Sequence, residues 1–148
     1  MHVHYHYDMA LSDDDLATWK AFINAHDRIT RQINADLAER GLPDLTWYDA
    51  LWALRTGEGR RRMGELGEAV VLSRTAIVRL VDRLEAAGVA RREPVPEDRR
   101  GAYVVITPEG KALLKRMWPV YSAGIERLFA THASKTMGAA LDRMAREG

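Results

Sequence analysis

The chain of 148 residues contains no cysteine. That absence excludes disulfides, thiolate zinc sites, cysteine nucleophiles and thiol-based redox sensing. No apolar run approaches the roughly 18 residues that a membrane-spanning helix needs, so a membrane role is not expected. The opening residues, Met-His-Val-His-Tyr-His-Tyr-Asp, lack the basic and apolar blocks of a secretory signal. Common catalytic signatures are missing as well: there is no HExxH, no GxSxG, no phosphate loop and no dinucleotide fingerprint. Not an enzyme, no catalytic residue, no cofactor and a cytoplasmic location are the resulting expectations.

What is present is an ordinary globular composition, 47% hydrophobic and 29% charged, in a chain of single-domain length. The net charge of +1 hides an uneven distribution. Residues 1–54 hold four basic against nine acidic side chains, residues 55–100 eleven against eight, and residues 101–148 seven against four. Every basic residue of the middle stretch is arginine, including Arg60-Arg61-Arg62, Arg91-Arg92 and Arg99-Arg100. Arginine forks match phosphate oxygens and guanine edges, so the cluster points toward nucleic acid. A solvated surface balanced by acids is the plainer account.

Hydrophobic spacing divides the chain into helices around a central hairpin. Ser12 followed by Asp13, Asp14 and Asp15 predicts a helix start. Leu16, Trp19, Ile23, His26, Thr30, Ile33 and Leu37 then alternate at three and four residues until Gly41 and Pro43. Such a stripe needs a second helix along its length, and another subunit is the natural source. Thr46 is read as the cap of a helix over 47–55 with Trp47, Leu51 and Leu54 on its apolar face. A loop over 56–59 and a short helix over 63–70 follow, with Arg60 to Arg62 leading into that helix. Ser73 caps a helix over 74–87 that buries Ile77, Leu80, Val81 and Leu84 and ends at Gly88. Residues 89–93 and 102–107 read as two strands joined by a long basic tip over 94–101, where Pro94 and Pro96 argue against a central strand. Thr107-Pro108 opens a helix in which Pro119 is expected to introduce a kink, and Ser134 caps a last one.

This order is a helix-turn-helix followed by a two-stranded wing. The second helix of such a pair enters the major groove, its N-terminal end nearest the bases. That end carries Ser73, Arg74 and Thr75, with Val78 and Arg79 one turn on. Their other reading is a solvated face with local pairs, such as Arg79 with Asp82. Arg99 and Arg100 of the hairpin suit the minor groove or backbone, and Arg62 a phosphate. Asp98 is expected to orient an arginine, and Asp82 and Arg83 to brace the module.

Residues Leu72-Ser73-Arg74-Thr75-Ala76-Ile77-Val78-Arg79-Leu80-Val81-Asp82-Arg83-Leu84-Glu85-Ala86-Ala87-Gly88-Val89 resemble the recognition helix of the MarR family of winged helix-turn-helix regulators. Asp98-Arg99-Arg100-Gly101 and Val104-Val105-Ile106-Thr107-Pro108-Glu109-Gly110 are similar to the family's wing signature and the strand and helix start beyond it. The specific likeness covers about residues 45–115. It implies a mainly α fold with a β-wing, divided into an N-terminal tail and dimerisation helix (1–44), a DNA-binding region (45–107) and C-terminal dimerisation helices (108–148). It further implies a homodimer on an inverted-repeat operator of double-stranded DNA, repressing transcription, and release by a small aromatic or phenolic effector.

Two other features carry chemistry. His26 and Thr30 interrupt the apolar stripe, either as a polar pair at a dimer seam or as the polar edge of an effector pocket. Trp19, Trp47, Tyr48 and Trp52 are candidates for the aromatic wall of that pocket, or for core. His2, His4 and His6 alternate with Asp8 in reach and have the ligand chemistry for zinc, copper or nickel, although no metal centre is part of the main reading. A metal-responsive regulator using these histidines, and a winged-helix module for protein contacts alone, are the alternatives.

Overall fold

The computed structural model describes residues 11–147. The histidines of the metal alternative, His2, His4 and His6, lie outside them. Helix α1 (Asp13–Glu39) opens with a reciprocal cap: the Asp15 N–H donates to Ser12 Oγ at 3.0 Å, and the Ser12 N–H to the Asp15 carboxylate at 3.3 Å. Gly41, at φ 69, ends it, and Leu42 N–H reaches back to the Leu37 carbonyl. Of the long stripe only Ile33 and Leu37 are buried. Trp19 remains 58% exposed, and Leu16, Phe22 and Ile23 are exposed beside it.

Helix α2 (Leu45–Thr56) starts two residues earlier than expected, because Asp44 rather than Thr46 caps it; the Asp44 carboxylate accepts from Thr46 N–H at 2.9 Å. Leu51 and Leu54 are buried, whereas Trp47 is only half-buried and its neighbour Tyr48 takes the interior place. Strand β1 (Arg60–Arg62) has no counterpart in the sequence reading, which ran these arginines straight into the next helix. Helix α3 (Met63–Ala69) and helix α4 (Arg74–Ala86) form the helix-turn-helix. Gly67 lets them close up: a Cβ there would sit 3.3 Å from Ile77 Cγ2 and from the Leu72 carbonyl oxygen. The turn holds Val71 at φ 56 and 89% exposed, a backbone region costly for a β-branched residue.

Strands β2 (Ala90–Val95) and β3 (Asp98–Ile106) make the wing, and β1 joins the free side of β3. The wing therefore belongs to a three-stranded antiparallel sheet of order β1-β3-β2, one strand more than expected. The expected long tip is also mostly strand. Pro94 is accommodated because β2 is an edge, and the register shifts between Pro94 and Val95. Only residues 96 and 97 turn the chain.

Helix α5 (Pro108–Ile125) is capped by Thr107, whose Oγ accepts from Gly110 N–H at 3.1 Å and donates to the Gly88 carbonyl at 2.6 Å. The helix continues through Pro119 without interruption. Lys115, whose carbonyl loses its partner there, is exposed, so water can satisfy it. A π-helical turn (Glu126–Ala130) and helix α6 (Lys135–Glu147) complete the chain, with Ser134 capping α6 through Met137 N–H as expected. The core runs from Leu37 and Leu54 through Leu66, Ile77 and Leu80 to Val104 and Met117.

Two glycines mark contacts close enough that a side chain would force a shift. A Cβ on Gly124 would lie 2.6 Å from Ile33 Cγ1, where α1 crosses α5. A Cβ on Gly110 would lie 2.2 Å from the Val89 carbonyl oxygen, a backbone atom that cannot step aside. Gly110→Ala is expected to destabilise the fold by about 1–3 kcal/mol. Urea unfolding measures this, and an unchanged midpoint would contradict the contact.

Candidate nucleic-acid interface

The amphipathic period of α4 determines what it shows. Ile77, Leu80, Val81 and Leu84 are buried, which turns Arg74, Thr75, Val78, Arg79, Asp82 and Arg83 outward. Ser73 is spent on the helix start, its Oγ accepting from Ala76 N–H at 3.1 Å. The expected alternative pairing of Arg79 with Asp82 does not form. Asp82 instead meets Arg92 of β2 at 2.5 Å, and the same guanidinium holds Glu85 at 2.7 Å. The Glu85 carboxylate also accepts from the Arg92 backbone N–H at 2.8 Å. Asp82 thus braces the module as expected, through a partner that sequence reasoning missed.

This clamp fixes the wing to α4 and changes the charge that α4 displays. One arginine engages both carboxylates and offsets one of their two negative charges, while Arg74, Arg79 and Arg83 have no ion-pair partner among the described residues. The Arg92 backbone N–H and then its guanidinium hold the Glu85 carboxyl below its usual pKa. Burial disfavours the charge of Arg92, but hydrogen bonds with Asp82 and Glu85 outweigh it and raise its pKa.

In the wing, Arg99 and Arg100 are exposed at the start of β3. Asp98 orients this corner: its carboxylate accepts from Arg100 N–H at 3.0 Å and stands 3.8 Å from Arg62 Nη1. Gly101 leaves room for it, since a Cβ would meet the Asp98 carboxylate at 2.9 Å. Arg60, Arg61 and Arg62 alternate as β1 requires. Arg60 and Arg62 flank the Tyr103 ring, 4.2 and 5.7 Å from its centroid. Arg61 points the other way and donates from Nε to the Ala53 carbonyl at 2.6 Å. Arg62 is accordingly half-buried at the root of the wing, while Arg79, Arg99 and Arg100 lie open.

A second site lies between α2 and α5, a cleft of about 700 Å³. Tyr48 is at its centre, stacked on Trp52 and Trp118 at 6.4 and 6.1 Å and edge-on to Tyr121 at 5.0 Å. Asp49, Arg55, Lys111 and Lys115 bring charge to its walls. Burial, followed by Asp49, raises the pKa of Tyr48; Tyr121 is raised by burial, then by Asp49 and Tyr48. Asp49 is exposed as a residue, yet desolvation of its carboxyl, with Asp44 near it, raises its pKa. Of the six sequence candidates for an aromatic pocket, Tyr48 and Trp52 line this cleft. Trp47 packs on the core, and Trp19, His26 and Thr30 remain on α1, where Thr30 Oγ donates to the His26 carbonyl at 2.8 Å. Lys111, Lys115, Trp118 and Tyr121 were not singled out, although their spacing of four, three and three places them on one face of α5.

Comparison with known proteins agrees with this geometry. The sequence model described as MarR family matches residues 40–101. The uncharacterized HTH-type transcriptional regulator YkoM of Bacillus subtilis (strain 168) is 26% identical over 112 residues, 76% of this chain and 71% of that protein. Among solved structures, AbsC, a MarR family transcriptional regulator from Streptomyces coelicolor, superimposes with a TM-score of 0.81 at 28% identity, covering 92% of each chain. Sco3205, a MarR family transcriptional regulator from the same organism solved in complex with DNA, gives 0.83 at 26% identity, over 93% of this chain and 87% of that one. Among the described residues no helix is long and apolar enough to cross a membrane.

The clamp has a pH signature. Because the folded pKa of Glu85 is depressed, its stabilising contribution is complete above the unfolded carboxylate value of about 4.5 and is lost as pH falls through the folded one. Glu85→Gln is expected to lower the thermal midpoint at neutral pH and to converge with the wild type in acid. Thermal scans at stepped pH test this, and a gap of constant size down the series would rule out Glu85 as the titrating partner.

Proposed function

The chain belongs to the MarR family of winged-helix transcriptional regulators, and on that premise we propose that it is a ligand-responsive repressor acting as a homodimer on an inverted-repeat operator. The observation that carries the reading is the outward face of α4, where Arg74 and Arg79 have no ion-pair partner among the described residues and stand beside Thr75 and Val78, while Arg92 engages the nearby acids. In the major groove these side chains suit base edges and phosphates, with Val78 against a thymine methyl. Ser73 adds a hydroxyl at the helix start. Arg99 and Arg100 suit the minor groove or backbone alongside, and Arg62 a phosphate. The DNA complex of Sco3205 makes double-stranded DNA the natural partner.

Homodimerisation is supported by the uncovered stripe of α1, where Leu16, Trp19, Phe22 and Ile23 are exposed together. In this division the helix of the 1–44 region and the helices of residues 108–148 join the two chains, and residues 45–107 hold DNA. Two-fold symmetry then sets half-sites about one helical turn, roughly 34–36 Å, apart. The cleft between α2 and α5 suits a small aromatic or phenolic effector: stacked rings accept its flat body, and Arg55, Lys111 and Lys115 favour an anionic group. Such a ligand lowers operator affinity by favouring a different spacing of the two recognition helices. The site of action is the cytoplasm, and no chemical step is involved.

Fluorescence anisotropy with the DNA flanking the reading frame, titrated at several salt concentrations, tests the proposal. Tight, sequence-selective binding that weakens steeply with salt is expected. Arg79→Ala should cost about 1–3 kcal/mol of operator binding and relax specificity. Arg100→Ala should weaken all duplexes more evenly and lower the salt slope by about one. Salt-insensitive binding, or a folded dimer that ignores DNA at low salt, would favour a protein-interaction role instead. A chain that stays monomeric at micromolar concentration would remove the inverted-repeat operator.

A further inference from the structure

Strand β1 touches both halves of the molecule through adjacent residues. Arg61 faces inward, opposite Val104 in the ladder, and its Nε donates to the Ala53 carbonyl at 2.6 Å. That carbonyl lies in the last turn of α2, next to Trp52, whose ring lines the cleft. The contact is built for. Gly57 lies against the Arg61 side chain so closely that a Cβ would be 2.8 Å from its Nε. On the opposite side of β1, Arg62 stands 3.8 Å from Asp98, which accepts from the Arg100 backbone N–H. Three ladder pairs, Arg60 with Val105, Arg61 with Val104 and Arg62 with Tyr103, tie β1 to β3 between these ends.

We propose that Arg61 is a positioning residue that makes the wing follow α2, so that a change in the cleft reaches Asp98 and Arg100 through β1. A hydrogen bond to the end of α2 makes β1 move with that helix. The ladder makes β3 move with β1. The corner that presents Arg99 and Arg100 is then displaced together with the cleft wall. As a means of regulation this rests on the ligand reading above, whereas the mechanical link itself does not.

The test therefore uses no ligand and no DNA. Amide hydrogen exchange is followed in the full chain with and without Trp52→Ala, which removes a ring from the cleft wall. Three backgrounds are compared: wild type, Arg61→Met, which keeps the length of the stem as far as Nε without a donor, and Arg61→Gln, which restores an N–H donor at the position of Nε. The expected result is a change of about fivefold or more in exchange over residues 98–104 on removing the ring, in the wild type and in Arg61→Gln but not in Arg61→Met. A purely structural role for Arg61 would shift the baseline in both Arg61 variants without abolishing the response, and that outcome overturns the proposal. Gly57→Ala provides a second route should Arg61→Met fail to fold, because its methyl displaces the arginine from Ala53 while keeping the charge; the same loss of response is expected. An equal response in all backgrounds, or none in the wild type, overturns the proposal. Failure of the cleft to take a ligand would leave the exchange result standing, so the two readings fail separately.

Discussion

The contact of Arg92 with Asp82 and Glu85 is the constraint on which the arrangement of α4 and the wing depends. A helix carrying two carboxylates beside its arginines is poorly suited to a polyanion, and a two-stranded ribbon alone holds no fixed direction. One guanidinium bears on both. It comes from the strand side and holds both acids, offsetting one of their two negative charges. It also ties β2 to α4 in a bidentate geometry that lysine cannot reproduce. The pair is partly solvent-exposed, so its weight lies in geometry and charge placement more than in folding free energy.

The other fixed points belong to the same frame. Gly67 lets α3 and α4 close together, Thr107 joins the end of the wing to the start of α5, and Asp98 holds the corner where Arg100 leaves the sheet. None of these is a large apolar burial. The hydrophobic core supplies the driving force for folding, and these few polar and steric contacts select one arrangement of the elements it holds. The cleft is where that core opens: Tyr48 is almost buried, yet its ring neighbours Trp52 and Trp118 are half open to solvent.

How much was legible in the sequence depended on whether a signal was local. The caps at Ser12, Ser73, Thr107 and Ser134, and the buried stripe of α4, were readable because each is written within one or two turns of helix. Strand β1 was not, since three successive arginines carry no apolar alternation and pair only because β3 offers an edge. The length of the wing was misread for a related reason: Pro94 excludes a central strand, and only the sheet order reveals that β2 is an edge. Arg74 and Arg79 were readable from their place at the start of α4 and one turn on, but the pairing of Asp82 with Arg92, ten residues away, required the fold. The aromatic cleft was half legible, since Tyr48 and Trp52 lie four apart on one helix while Trp118 and Tyr121 arrive from α5.

The missing methyl at Gly110 has a kinematic consequence. With the Val89 carbonyl seated against its Cα, the first turn of α5 cannot slide along or across the sheet without collision. A tilt about that turn is the displacement this contact leaves open, with the turn as its fulcrum, and the contact of Gly124 with Ile33 limits its range. Trp118 lies eight residues further on, roughly 12 Å at 1.5 Å per residue. A tilt of about 5° at the fulcrum therefore carries that ring by about 1 Å, a displacement that a close-packed contact registers. The first turn of α5, seated on the residue before β2, is thus the reference point from which the Trp118 ring takes its position in the cleft.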